Sequence, residues 1–466
     1  MVDIGIIGGG FTGAAVAVHL ANAARAPLRI EVVEPRADVG LGLAYGSCRS
    51  EHRINVPSDR MVVFREEPLH FTDWLRAAGI LDADAEGHVE GGDFYSRRAD
   101  FGAYMAALFR KTAERNPSGS SLQHRRAAAS AFDRDGAGWR VRFTDGTLAY
   151  YSQLVLAQTH APPALYWPVG AEASASPNLI ANPWDWDAIA AVPERAHVAI
   201  LGTGLTMCDV VVTLRANGHR GNIEAISRRG LTPRVHGLFG MAFDLFGTEA
   251  PPDTAIGLLR LLRARIREAA AAGLGWHPVV DELRSRLPIY WRTLPLSERI
   301  KIARRLRAWW DVHRFRIAPQ VHRLIAGGET EGWLAIHRGH VHGIDGNRDG
   351  LRLDWTPRHE QRRETGFDVI INCTGPDSDI ARSAGPMLRH ALDAGFIRPD
   401  PLRIGIDVDA DGRAIDRGGS AGASLWVAGP LARAVVGEAT GLPEASDSAR
   451  KAANGVAASV GSAVSR

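Results

Sequence analysis

Ile4-Gly-Ile-Ile-Gly8-Gly-Gly10-Phe-Thr-Gly13 decides how the chain folds. The run Asp3-Ile-Gly-Ile-Ile7 reads as a buried strand, and the alanine-rich residues 13–25 read as a helix. Residues 29–33 form a second strand, so the whole is one β–α–β unit. Each glycine has a separate task. Gly8 permits the tight turn off the strand, Gly10 lets the backbone approach a bulky anion, and Gly13 lets helix and strand pack closely. The helix that follows offers unpaired N–H groups at its start, which suits a diphosphate.

The pattern returns at residues 197–201, 205–217 and 222–227, around Gly202-Thr-Gly204-Leu-Thr-Met207. The third glycine is missing there, and Met207 in its place predicts looser helix packing. The two units also differ where their second strands end. Glu34 lies 26 residues after Gly8, where a carboxylate accepts from a ribose hydroxyl. The matching position in the second unit is Ser227, followed by Arg228 and Arg229. A carboxylate would repel a 2′-phosphate, whereas arginine pairs with one bidentately. The first turn therefore suits FAD. The second suits NADPH, with NADH the less favoured choice.

Strands alternating with helices predict an α/β fold with two Rossmann-like dinucleotide-binding domains. From about 254 to 325 strands vanish, and Leu, Ala and Arg recur at helical spacing, which predicts a helical insertion. The expected division is an FAD-binding domain from residues 1–180 and 365–466 and a nicotinamide-dinucleotide domain from 181–364. Residues 139–156 read as a β meander returning to the first sheet at Leu154–Ala157. Further strands are expected at 367–372 and 425–428, and a final helix beyond about 445.

Composition narrows the function classes. With 55 Lys and Arg against 52 Asp and Glu, the net charge of +3 gives no broad footprint for nucleic acid. Cys48, Cys208 and Cys373 are scattered without a C-x-x-C pair, which argues against a disulfide framework and against a flavin disulfide reductase. No H-x-x-x-H or H-E-x-x-H spacing occurs among the 17 histidines, so no metal is expected. The chain opens directly into a strand and carries no long apolar run, so the expectation is a cytoplasmic protein with no membrane partner. Oligomeric state is not readable.

The motifs GGGFTG (8–13), GLAYG (42–46), INVPS (54–58), NPWD (182–185), GTGLTMCD (202–209), SRRG (227–230), WDVHRFR (310–316), NCTGP (372–376) and AGPLAR (428–433) follow in order. This set resembles a bacterial family of two-dinucleotide-domain flavoproteins. It includes FAD-dependent urate hydroxylase and is distantly similar to the flavin-containing and N-hydroxylating monooxygenases. The resemblance implies that Gly8, Gly10, Phe11, Thr12, Gly13 and Glu34 hold the ADP half of FAD. It places Tyr45 and Asn55 near the flavin ring and Gly429 beside the ribityl chain, with Gly202, Gly204, Ser227 and Arg228 on the nicotinamide dinucleotide. One departure is plain. Where such proteins close the first domain with Ala-Thr-Gly, this chain has Ala157-Gln-Thr-His160.

Two dinucleotide sites in one chain imply hydride transfer from nicotinamide to flavin. With no thiol pair or cysteine cluster to receive the electrons, molecular oxygen is the natural acceptor. The resemblance then implies a C4a-hydroperoxyflavin that hydroxylates a small polar substrate, with urate, giving 5-hydroxyisourate, as the first candidate. The alternatives are amino-acid N-hydroxylation, reduction of quinone-like acceptors, and a non-enzymatic flavin sensor. His313 and Arg314, within the cationic and aromatic run 310–316, and His236 are the candidate catalytic residues. Arg97 and Arg98 either face the FAD diphosphate or form a solvated edge. A helix start near Glu438 and Glu444 could aim at the flavin's pyrimidine edge.

Overall fold

The computed structural model describes residues 2–46, 49–237, 243–247, 250–347, 350–437 and 441–464, so Cys48 and Glu438 lie outside the described residues. Its strands are β1 (Val2–Ile7), β2 (Leu28–Val33), β3 (Ser121–Arg125), β4 (Ala129–Asp135), β5 (Gly138–Phe143), β6 (Leu148–Tyr151), β7 (Gln153–Leu156) and β8 (Leu179–Ile180). They continue with β9 (Val198–Leu201), β10 (Ile223–Ser227), β11 (Leu334–Asn347), β12 (Gly350–Pro357), β13 (Arg363–Phe367), β14 (Val369–Asn372), β15 (Arg413–Ile415) and β16 (Ala421–Val427). The helices that position the sites are α1 (Phe11–Ala23), α2 (Gly42–Tyr45), α3 (Arg98–Glu114), α4 (Leu205–Ala216) and α5 (Ala255–Ala271). After them come α6 (His277–Thr293), α7 (Leu296–Lys301), α8 (Arg307–Arg314), α9 (Pro319–Glu331) and α10 (Leu442–Val464).

The first sheet has the order β15-β16-β7-β1-β2-β3. β1 pairs in parallel with β2, with Ile4 opposite Ile30, and with β7, with Ile4 opposite Gln153. Strands β1 and β9 are covered on both faces, which is why they are short apolar runs and not alternating ones. From β1 the chain builds outward through β2 and β3 on one side, while β7 and β16 fill the other. The strand order therefore switches between β1 and β7, the place in such sheets where a ligand binds across the carboxyl ends of the strands. Helix α1 is buried from Phe11 through Ala21 because the sheet, α3 and α10 enclose it.

The second sheet has the order β13-β12-β11-β10-β9-β14-β8, and a three-stranded antiparallel sheet, β4-β5-β6, forms the expected meander. The antiparallel run β11-β12-β13 is absent from the sequence reading. His337-Arg-Gly-His-Val-His-Gly343 shows no clean alternation, and the register shifts between Val341 and Gly343. The insertion comprises α5, α6, α7, a π-helical turn at Ile302–Leu306, and α8. Thr254 caps α5 by accepting from Gly257 N–H. The insertion has its own apolar centre of Leu245, Leu258, Val279, Leu283, Tyr290 and Trp291. Helix α9 then returns the chain to β11.

The two halves meet through a part-buried ion pair. Arg98 at the start of α3 donates to both oxygens of Asp209 on α4, at 2.7 and 2.8 Å. His52 and Thr213 are in contact at 2.8 Å, and Arg49 donates to the Trp186 carbonyl at 3.0 Å. Removing either member of the Arg98–Asp209 pair strands the other in a poorly hydrated place. Arg98→Ala or Asp209→Ala should each lower stability by about 3 kcal/mol, and the double variant should lose clearly less than the sum. Chemical denaturation of the four proteins checks this, and strict additivity would remove the pair as a coupling.

Candidate dinucleotide sites

At the first turn, Gly8 has φ of 104°, and a Cβ there would sit 2.8 Å from the Ala157 carbonyl oxygen. A Cβ at Gly13 would overlap the Gly8 carbonyl outright, so helix and turn fit only as glycine. Helix α1 starts on Gly10 with no side-chain cap and no acidic residue in its first turn. Its leading N–H groups therefore remain for an anion. Glu34, 4% exposed at the end of β2, accepts from Gly9 N–H at 3.0 Å and Arg36 N–H at 3.1 Å, which aims its carboxylate along the turn. The loop of α2 closes over Gly10, because a Cβ built there meets Gly42 Cα at 3.4 Å.

Two of the other expected residues, Gly429 and Tyr45, lie against the start of α1. A Cβ at Gly429 would lie 2.6 Å from Thr12 Oγ1, so the segment after β16 abuts the start of α1. Phe11 packs on Phe101 and on Tyr45, and burial pushes the Tyr45 phenol up to about 12. The Asn55 carbonyl accepts from His236 Nε2 at 2.6 Å, which brings two predicted residues from distant segments together. The loss of glycine from Ala157–His160 costs no backbone strain. Among the described residues only His359 and Arg403 combine a side chain with left-handed φ. Gln158 Oε1 and both ring nitrogens of His160 are buried without a hydrogen-bond partner among the described residues. Such orphaned atoms, with the uncapped helix, fit a bound dinucleotide.

The second turn repeats the design with one change. Gly202 has φ of 112°, and a Cβ there would overlap the Cys373 carbonyl. Helix α4 starts on Gly204, again uncapped and without an acid in its first turn. A Cβ on Gly204 would meet nothing within 4 Å, so the turn is open to a ligand. The looser packing expected from Met207 is not found. Its side chain is fully buried among Val198, Ile200 and Val211, because a flexible thioether fills the space that glycine would leave. Ser227 Oγ lies 2.9 Å from Thr203 Oγ1 and accepts from Gly230 N–H at 2.9 Å, so it shapes the turn. Arg228 is exposed and pairs with no carboxylate among the described residues. Arg229 donates to the Arg305 carbonyl in the π-helical turn at 3.5 Å.

Other expectations move. Arg98 is tied to Asp209, and Arg97 lies 3.5 Å from Asp84 and caps α3 with Asp100, so both guanidinium groups have carboxylate neighbours within the protein. Arg314, 8% exposed, donates to Glu444 at 2.9 Å, as does Arg284 at 2.8 Å. Burial pushes the Glu444 carboxyl up, but the two guanidinium groups outweigh it and hold it below the usual range. These pairs clasp α6 and α8 to the start of α10 and commit the Arg314 guanidinium to Glu444. His313 lies edge-on to Trp276 at 4.7 Å, and Arg316 sits over the same indole at 4.9 Å. A cavity of about 200 Å³ lies beside them, lined by Thr232, Arg234, Trp276, His277, His322 and Glu329 among others. Cys208 and Cys373 are both buried, and burial pushes both thiols up. Among the described residues no His, Cys, Asp or Glu group could hold a metal ion, and no helix is long and apolar enough to cross a membrane.

The sequence reading missed Asp209 and left the burial of His160 unseen. Asp209 carried a signal, as a carboxylate inside the apolar run of α4. Its partner could not be read, because Arg98 is 111 residues away.

Comparison with known proteins supports the geometry. Residues 5–161 match a family model described as FAD-NAD(P)-binding. No curated protein sequence matches the chain. Among solved structures, the reduced form of ornithine hydroxylase from Pseudomonas aeruginosa superposes with a TM-score of 0.65 at 16% identity, covering 99% of this chain and 100% of that one. L-lysine 6-monooxygenase from Pseudomonas syringae gives 0.64 at 18% identity, covering 100% and 99%. Lactococcus lactis thioredoxin reductase gives 0.54 at 11% identity, covering 99% and 100%. The chain therefore has the α/β fold of these solved structures, and its residues 5–161 match the FAD-NAD(P)-binding family model.

Burial makes three histidines titration probes. It lowers His19 to about 4, His160 to about 3 and His236 to about 4, from an ordinary value of 6.5. Between pH 6.5 and about 4 the unfolded chain therefore takes up protons that the folded chain refuses. Stability should fall as pH drops through that window. His19→Gln should flatten the dependence of the urea midpoint on pH between 6.5 and 4.5, and an unchanged slope would contradict burial of a neutral ring.

Proposed function

We propose that the chain is an FAD-dependent, NADPH-using monooxygenase acting on a small polar substrate. The observation that carries this reading is the pair of uncapped glycine-turn helices with opposite chemistry at their ribose ends. Glu34 suits an unmodified ribose, and exposed Arg228 suits a 2′-phosphate. In this reading Gly8, Gly10, Gly13, Glu34 and Gly429 hold FAD. Gly202, Gly204 and Arg228 hold NADPH, while Ser227 shapes the turn. FAD, once reduced by NADPH, supplies the electrons that activate oxygen. The overall balance is substrate, O₂, NADPH and a proton giving hydroxylated substrate, water and NADP⁺.

The protein's own part is to bind, orient and exclude. The turns fix two diphosphates, and the Arg98–Asp209 pair fixes the helices that carry them. The hydrogen bond between His236 and the Asn55 carbonyl joins the two halves near the cofactors. His236 is held neutral, with its Nε2 proton committed to Asn55, so it serves better as a positioning residue than as an acid. His313 remains a candidate for substrate contact, beside Trp276 and Arg316.

Primary amines are the favoured substrate class, because ornithine and lysine hydroxylases share the fold along the whole chain. Urate, suggested by the motif resemblance, gains no support from the proteins compared. Disulfide reduction, the activity that the name of the Lactococcus lactis neighbour implies, is disfavoured because Cys208 and Cys373 are buried thiols. The deciding experiment mixes FAD-loaded protein, NADPH and oxygen with ornithine, lysine, cadaverine and urate. Oxygen uptake and product mass are then followed. One amine should gain a single oxygen atom in step with NADPH oxidation. If every compound leaves only hydrogen peroxide while a quinone is reduced rapidly without oxygen, the chain is a reductase.

Cofactor choice gives a second test. Replacing Arg228 and Arg229 by Ala should raise KM for NADPH roughly tenfold to a hundredfold and leave KM for NADH nearly unchanged. Steady-state flavin reduction measures both. Equal losses would place the arginines on the diphosphate and not on the 2′-phosphate.

A further inference from the structure

Just beyond the end of β7 lie three buried polar atoms that no described residue satisfies: Gln158 Oε1 and both ring nitrogens of His160. His160 is only 7% exposed. Burial, with Arg433 and Arg307 in the neighbourhood, keeps its ring uncharged. A neutral imidazole has one donor and one acceptor, and folded proteins seldom leave both unpaired without a ligand or an ordered water. The backbone here is well fixed, since Ala161 pairs with Asp377 and Asp377 holds Arg382 at 2.8 Å. The orphaned ring is therefore not a loop side chain that could turn to solvent.

The position of β7 identifies the ligand half that would meet these atoms. Glu34 ends β2 on one side of β1, and β7 stands on the other side. The Gly8 turn touches the Ala157 carbonyl, and the Gly429 segment touches Thr12. A dinucleotide with its adenosine ribose at Glu34 and its diphosphate at Gly10 extends its other half over β7 and β16. For FAD, that half is the ribityl chain and the isoalloxazine ring.

We propose that Gln158 and His160 form a hydrogen-bonding floor beneath the flavin half of FAD, with His160 as a neutral positioning residue that helps to set flavin affinity and electronic environment. This rests on the reading of the first turn as an FAD site. It also accounts for the departure from Ala-Thr-Gly at 157–160, because a segment of small residues could offer no such side chains.

The test compares wild type, His160→Ala, His160→Gln and His160→Leu. FAD is titrated into flavin-stripped protein by fluorescence, and the visible spectrum and midpoint potential of the loaded forms are recorded. His160→Ala should weaken FAD binding roughly tenfold, the size of one or two lost hydrogen bonds, and shift the long-wavelength flavin band. His160→Gln, which keeps a donor and an acceptor, should recover much of that loss. Thermal melts should move in opposite senses for His160→Leu: no lower than wild type without flavin, and lower with it. An unchanged dissociation constant and spectrum in His160→Ala, as when a water satisfies the ring, overturns the proposal. So does an equal loss of stability with and without FAD. Wild-type protein that binds no FAD would instead remove the reading beneath it.

Discussion

The ion pair between Arg98 and Asp209 is the contact on which the working geometry depends. Two charges are withdrawn from water where the halves of the molecule meet, and the cost is offset only while both oxygens of Asp209 face both nitrogens of one guanidinium. That requirement is geometric, so it fixes α3 against α4. Helix α3 also packs on α1, and the first glycine turn opens α1 just as the second opens α4. One part-buried pair therefore relates two helix N-termini, each shaped to bind a diphosphate. Hydride transfer between two bound cofactors depends steeply on their approach, and the His52–Thr213 and His236–Asn55 contacts brace the same face.

The helical insertion is secured by a second set of desolvated charges. Glu444, in the first turn of α10, is shared by Arg284 of α6 and Arg314 of α8, and Trp291 donates to the Ala434 carbonyl at 2.9 Å. A carboxylate at the start of a helix is favoured by the helix dipole. Here that preference is joined to two cations from the insertion. The clasp draws the insertion onto the segment that follows Gly429, which itself rests on Thr12. The insertion thus reaches the first turn through a chain of contacts, and through the Arg229–Arg305 contact it reaches the second.

Legibility in the sequence followed the locality of each constraint. Gly8, Gly13 and Gly202 answer demands of their own backbone or of an adjacent turn, and those demands show in spacing alone. The difference between Glu34 and Ser227-Arg228 was equally readable, because both positions are counted along one β–α–β unit. Met207 misled because glycine is only one solution to helix–strand packing, and a flexible side chain is another. Arg314 looked catalytic because its neighbours are chemically rich, yet its partner Glu444 lies 130 residues away. The pairing of Arg98 and the isolation of His160 are likewise choices made by tertiary packing, and no period or motif records them. The hairpins of β11 to β13 escaped because their histidines and glycines blur the alternation that marks a strand.

The arrangement constrains where electrons can go. In the proposed reading a nicotinamide would be held at the second turn and a flavin at the first, and α3 and α4 are tied to one another by Arg98 and Asp209. Beyond the flavin, a thiol relay would need an exposed cysteine of lowered pKa, whereas Cys208 and Cys373 are enclosed and their thiolates disfavoured. The proposed reading therefore passes electrons from the flavin to a diffusible acceptor and not to either of these thiols. Oxygen is the smallest such acceptor and the one that the proposed reading requires. The bracing contacts between α3 and α4 would set the separation of the two cofactors whichever acceptor follows, because transfer between them depends on how they are held.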